Sequence, residues 1–316
     1  MYVILPVSWF KHHFLFGEFV ITSQDQIDKI IEGAIPECFI DPEKGSPVAE
    51  IGYTSHGPET GEFTAPKTWN PEDLIPPELR EAIRDRKLTP ANKANLVYKH
   101  SVELMTRLLD DPKGANIKEA KKGIAEIVDL IMADDATSSQ MLKITSYDFY
   151  TYTHSVNVGV LSVMLAKALF KGSDYHDMHE LGAAFFLHDI GKIRVDPAIL
   201  NKPGRLTDEE MRKMRMHPYQ GFKILEEANQ LSKECGIIVM QHHEREDGKG
   251  YPRRLKGDDI HPYGRIGCIA DVFDAITAER SYKPKVSTFD ALKIMKEQML
   301  SHFHHHVFEK FVLLFA

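Results

Sequence analysis

From Glu78 to the C-terminus, apolar residues recur at spacings of three and four, and no alternation of useful strand length interrupts them. The segments "ELREAIRDRKL", "ANKANLVYKHSVELMTRLLDD", "NIKEAKKGIAEIVDLIMAD" and "ATSSQMLKITSY" open this run. The pattern predicts an all-α domain for the C-terminal two-thirds. Each helix of such a domain must bury an apolar stripe, so any titratable residue on that stripe needs a partner.

The first 75 or so residues read differently. "MYVILPV", "EFVI", "ECFIDP" and "VAEIGY" have strand character. "SQDQIDKIIEGA" reads as a helix capped by Ser23 and stopped near Gly33. The prolines Pro66, Pro71, Pro76 and Pro77 then mark a boundary. The expected organisation is a small α/β domain over 1–80, possessing a regulatory role, a helical linker over 81–122, and an all-α helical bundle over 123–316.

Histidines carry the chemical signal. The chain has 16, and many fall in short motifs between residues 154 and 243. In "YTHSVNVGVLSVMLAKALF", His154 shares a helix face with Val158, Leu161 and Leu165 and points toward the core. In "ELGAAFFLHDIGK", Leu181, Phe185 and His188 form one stripe, Gly191 ends the helix, and Asp189 sits about 100° from His188. His217 precedes Pro218 at a helix boundary. His242 and His243 end an apolar helix, before a glycine-rich loop. Asp271 lies inside the apolar helix "RIGCIADVFDAITAERSY", one turn before Asp274.

Each piece alone fits a satisfied core residue or a solvated helix end. Together they give five histidines and two aspartates, each facing inward or at a helix end, on five successive helices. Imidazole and carboxylate in this mixture suit iron, manganese, zinc or nickel, and lack the thiolates of structural zinc. Seven ligands exceed the needs of one ion, and an aspartate bridging two ions accounts for the number. His304 to His306 read instead as a polar segment before the last helix.

"HDIGK", "HPYQG", "HHEREDGKGYP" and "DVFDAITAERSYK", in this order and spacing, resemble the HD-GYP family, a branch of the HD superfamily of metal-dependent phosphohydrolases. The resemblance covers about residues 123–316, and the first fifty residues are similar to an N-terminal domain of unknown function often joined to it. It implies hydrolysis of cyclic di-GMP to linear pGpG or GMP, with two divalent ions, iron first and manganese or nickel as alternatives. One ion would take His154, His188, Asp189 and Asp271, and the other Asp189, His217, His242 and His243. Lys192 and Arg280 would contact substrate phosphate, with Lys192 and Asp189 as catalytic residues. Tyr251, in the loop Gly250-Tyr251-Pro252, would face the nucleotide, with Gly248 and Gly250 letting the loop bend. Three departures stand out: Tyr150 replaces a glutamate that supports a third metal in some members, and Glu246 and Lys249 stand where Trp and a small residue are common.

Composition limits the setting. The net charge of -7 disfavours polymeric nucleic acid as a partner, so an anionic ligand would need metal or local positive charge. Three scattered cysteines form neither a disulfide framework nor a zinc ribbon, which fits a reducing cytoplasm. No run approaches the roughly 18 apolar residues of a membrane span. A low-turnover cyclic di-GMP-binding module, signalling to a protein partner through the GYP loop or the N-terminal domain, is the main competing expectation; a phosphohydrolase of another nucleotide is the other.

Overall fold

The structure is a computed structural model that describes residues 2–4, 18–21, 39–40, 68–145, 151–200, 202, 204–278 and 286–315. The chain divides into two compact units, Met1–Lys67 with Asp196–Leu206, and Thr68–Val195 with Thr207–Ala316.

In the first unit, β1 (Tyr2–Ile4) lies between β2 (Glu18–Val20) and β3 (Phe39–Ile40). Both pairings are antiparallel, with Tyr2 opposite Val20 and Val3 opposite Ile40. The expected strand "VAEIGY" and the expected helix "SQDQIDKIIEGA" fall outside the described residues. No helix is described between residues 1 and 67, so an α/β domain there is not supported.

The second unit is helical. Its longer elements are α1 (Pro77–Arg84), α2 (Pro90–Asp110), α3 (Gly114–Ala133), α4 (Asp135–Ile144), α5 (Thr151–Leu169) and α6 (Met178–Phe186). They continue with α7 (Asp208–Met214), α8 (His217–Glu227), α9 (Lys233–Gln241), α10 (Pro262–Thr277), α11 (Thr288–Gln298) and α12 (His305–Val312). Local chemistry sets their starts. Thr89 accepts from the Asn92 amide with Pro90 at the first helical position, and Asp177 accepts from the His179 and Glu180 amides. Thr207 and Glu210 form a reciprocal capping box, and Ser232 accepts from the Cys235 amide. His305 and His306 are exposed in the first turn of α12.

The helix α5 is the axis of this unit, packed by α6, α10 and α2. It is buried all round from Thr153 to Val163, rather than on the one face that its period predicts. Val156, Val158, Val160 and Leu161 are fully buried. Both α3 and α9 pack on α6, and α9 packs on α10. Residues 81–122, expected as a helical linker, form the second half of α1, all of α2 and the first part of α3 within this same unit. No described helix is long and apolar enough to cross a membrane.

Candidate metal centre

The chain turn that joins α6 to a short 3-10 helix, Ile190–Arg194, carries His188 and Asp189. Gly191 does not end α6, whose last residue is Phe186. Its role is close approach: a Cβ there would lie 1.9 Å from the His217 carbonyl oxygen and 2.4 Å from the Gly221 amide nitrogen. The missing side chain lets the 3-10 turn lie against the start of α8, which brings Asp189 to His217.

All seven residues predicted as ligands converge. Asp189, His217, His242 and His243 form one group, and His154, His188 and Asp271 form a second, each with its ligating atoms within 4.8 Å of one another. Asp189 Oδ2 lies 3.2 Å from His154 Nε2 and 3.4 Å from His188 Nε2. Its Oδ1 lies 3.2 Å from His217 Nε2 and 3.6 Å from His242 Nε2. One carboxylate therefore turns a different oxygen to each group. Asp271 also spans the centre, with Oδ1 3.3 Å from His154 Nε2 and Oδ2 3.3 Å from His243 Nδ1.

The hydrogen bonds fix which ring nitrogens are free. His188 Nδ1 donates to the Phe185 carbonyl at 2.8 Å, His217 Nδ1 to the Met214 carbonyl at 2.8 Å, and His242 Nδ1 to the Val239 carbonyl at 2.9 Å. A carbonyl only accepts, so each Nδ1 carries a hydrogen, and Nε2 is the nitrogen that each ring can offer as a lone pair to an ion. His217 and His242 Nε2 then face each other at 3.2 Å, and both face Asp189 Oδ1, a buried oxygen that receives no hydrogen bond. Acceptors crowded on acceptors in a desolvated site need a cation between them. The donor set fits a divalent ion of the first transition row.

The electrostatics agree. Burial pushes down the proton affinity of His217 and, more strongly, of His243, where neighbouring imidazoles add to the effect. His154 goes the other way: burial lowers its proton affinity, but Asp189, Asp271 and Asp274 outweigh it and raise the value well above the ordinary one. Burial raises Asp189 and Asp271 as well, yet Lys192 and the imidazoles of His188 and His154 hold Asp189 below the usual carboxylate range, and His154, His243 and His188 do the same for Asp271. The site thus favours positive charge at His154 and lone pairs at His217 and His243.

Of the other expected site residues, Lys192 donates to Asp189 Oδ2 and keeps about a quarter of its side chain exposed. The half-buried Tyr251 ring lies 4.5 Å from the His243 ring at 30°. Burial, then Asp271 and Asp189, push its phenol far up, so it stays a donor. Gly250 packs on the backbone of His243, Glu244 and Arg245, where a Cβ would come within 2.6 Å. The buried Glu244 carboxylate closes the loop by accepting from the Arg253 amide at 2.7 Å and the Leu255 amide at 2.9 Å. Glu246 turns to Arg265 at 2.6 Å, while Lys249 is exposed. Arg280 and Tyr150 lie outside the described residues.

Sequence reasoning missed several residues. Arg215, two before His217, sets its guanidinium 5.4 Å from the Tyr251 ring centre, a cation–π distance. Asp274 was visible at one turn from Asp271 but had no role, and it accepts from His154 Nδ1 at 2.7 Å. Asn157, polar within the buried stretch of α5 three residues after His154, is the available signal for this part of the site.

Comparison with known proteins bears on the family. A profile described as HD domain matches residues 103–307, and one described as a domain of unknown function, DUF3391, matches residues 1–119. A cyclic di-GMP phosphodiesterase of Pseudomonas aeruginosa is 33% identical over 307 residues, covering 96% of this chain and 71% of that protein. A cyclic di-GMP phosphodiesterase of Thermotoga maritima is 43% identical over 137 residues, 43% of this chain and 37% of that protein. A protein of Vibrio cholerae named 3'3'-cGAMP-specific phosphodiesterase 2 is 50% identical over 101 residues, 31% of this chain and 19% of that protein. The chain thus spans less than half of these last two relatives. Among solved structures, a HDG"Y"P protein from Bdellovibrio bacteriovorus superposes with a TM-score of 0.61 at 17% identity, covering 78% of each chain, and shares the fold. With the HD-domain match spanning most of the chain and the motifs assembled in one centre, this chain belongs to the HD domain family, in its HD-GYP branch.

Proposed function

We propose that this chain is a metal-dependent phosphodiesterase that hydrolyses cyclic di-GMP to linear pGpG, GMP or both, at a centre of two divalent ions. The observation that carries it is Asp189, whose two buried oxygens address two separate groups of imidazoles. His154, His188, Asp189 and Asp271 would hold one ion, and Asp189, His217, His242 and His243 the other, with iron preferred and manganese or nickel as alternatives. Such ions polarise a phosphodiester and lower the pKa of water.

The chain's own residues supply the rest. Two carboxylates against two divalent charges leave the centre net positive, which draws an anionic phosphodiester into an acidic protein. Lys192, beside Asp189, stabilises charge that develops on phosphate oxygens. Arg280 grips phosphate in the ground state and the transition state alike. The Tyr251 phenol donates to the ligand from the rim, held by the loop that Glu244 closes. The N-terminal region over residues 1–80 has a regulatory role, and that region or the GYP loop is the surface for a signalling partner.

A specific observation supports a second substrate. The Vibrio cholerae relative named for 3'3'-cGAMP is 50% identical over its matched segment, so a mixed cyclic dinucleotide is the alternative substrate. The test is separation of products after incubating protein loaded with iron, manganese or nickel with each dinucleotide. Lys192→Ala should slow turnover about 10²-fold, a usual loss for one well-placed donor. Arg280→Ala should mainly raise KM. Tight binding without turnover under every metal would leave a sensor in place of an enzyme.

A further inference from the structure

The buried Asp274 commits its two oxygens to two different side chains of α5. Oδ2 accepts from His154 Nδ1 at 2.7 Å, and Oδ1 accepts from Asn157 Nδ2 at 2.7 Å. Asn157 in turn accepts the Tyr98 hydroxyl at 2.7 Å through its own amide oxygen. Asn157 and Asp274 are 0% and 1% exposed, and Tyr98 is 7% exposed. The chain of bonds therefore runs from α2 through α5 to α10 without reaching solvent.

Its direction is determined by chemistry. A carboxylate only accepts, so His154 must carry its hydrogen on Nδ1 and Asn157 must turn its amide nitrogen toward Asp274. The Asn157 oxygen is then left for the phenol of Tyr98. With Nδ1 so engaged, His154 Nε2 is the nitrogen left for the centre, 3.2 Å from Asp189 and 3.3 Å from Asp271. A carboxylate behind an imidazole also raises its strength as a ligand.

We infer that Tyr98, Asn157 and Asp274 are positioning residues that select the His154 tautomer and aim Nε2 at the centre. The inference rests on the reading of that centre as a divalent metal site. Tyr98 lies within residues 1–119, matched by the DUF3391 profile, and before the first residue of the HD-domain match at 103. Support for one metal group thus comes from outside the segment that the HD-domain profile covers.

The test is titration of manganese(II) into the full chain against a competing chelator, with circular dichroism as a check on folding. Asp274→Asn should weaken one of the two ions about 10–100-fold, the usual cost of losing a partner behind a ligand. The other ion takes no bond from His154 and meets its neighbour only through Asp189 and Asp271, so its affinity should fall clearly less. Tyr98→Phe removes one oxygen and should weaken the same ion several-fold. A merely structural role would lower the melting temperature of the metal-free protein without separating the two ions. Wild-type affinity for both ions in Asp274→Asn, or an equal loss at both, overturns the inference. If Asp274→Asn does not fold, unchanged affinity for both ions in Tyr98→Phe overturns it. A wild type that binds two manganese ions but leaves cyclic dinucleotides intact overturns the proposed activity alone, while one that binds no ion overturns both.

Discussion

Asp189→Asn keeps the shape of the side chain at the meeting point of both imidazole groups and removes its charge. The wild-type carboxylate lies between 3.2 and 3.6 Å from the Nε2 atoms of His154, His188, His217 and His242. An ion that binds only the folded state stabilises it by about 2.7 kcal/mol at a concentration of 100 times its Kd. Two such ions add to about 5 kcal/mol. In a folded unit of 150–250 residues, 1 kcal/mol moves Tm by about 2–4 °C, and the unit that holds this centre is in that range. Saturating manganese should therefore raise the wild-type Tm by about 10–20 °C, and should leave Asp189→Asn nearly unmoved. Scanning fluorimetry with manganese and with chelator measures the difference, and elemental analysis gives the ion content. Loss of a single ion from Asp189→Asn would refute the bridge. Retention of both ions with the full rise in Tm would refute the assignment of Asp189 as a ligand.

His154→Ala and His217→Ala should each leave close to one ion per chain, because they belong to different groups, and elemental analysis at limiting free metal reads this directly. Gly191→Ala should destabilise by more than about 4 kcal/mol, since its Cβ would overlap the His217 carbonyl and backbone cannot yield cheaply; urea melts check it. The pH response of the metal-free protein has a worked sign. His154 is raised, so its contribution is full below about pH 6.5 and is lost as pH rises through its folded value. His217 and His243 are lowered, so their neutral forms cost stability as pH falls below about 6.5. Asp189 and Asp271 are lowered too, and their contribution is present above about pH 4 and lost as pH falls through their folded values. Metal-free protein should thus be most stable near pH 6.5 as far as these groups decide it, while the gain from manganese should grow above that pH as His154 releases its proton. A metal-induced Tm gain that stays flat between pH 5 and 9 would contradict this.

What the sequence by itself determined was local and chemical. Periodicity gave the helical character after Glu78, and the motifs named all seven residues that converge. Spacing along a helix is a property of neighbouring residues, so it could place His154 with Val158 and Leu161 on one face. It could not reveal that α5 is buried on every side, because that depends on α2, α6 and α10 packing around it. Nor could it explain Gly191, whose constraint is a carbonyl that arrives from residue 217. The division of Asp189 between two imidazole groups, and the bonds from Tyr98 through Asn157 and Asp274 to His154, join residues up to 120 positions apart. Hydrogen-bond direction and lone-pair crowding exist only once those atoms are within about 3 Å of one another, and tertiary packing alone brings them there.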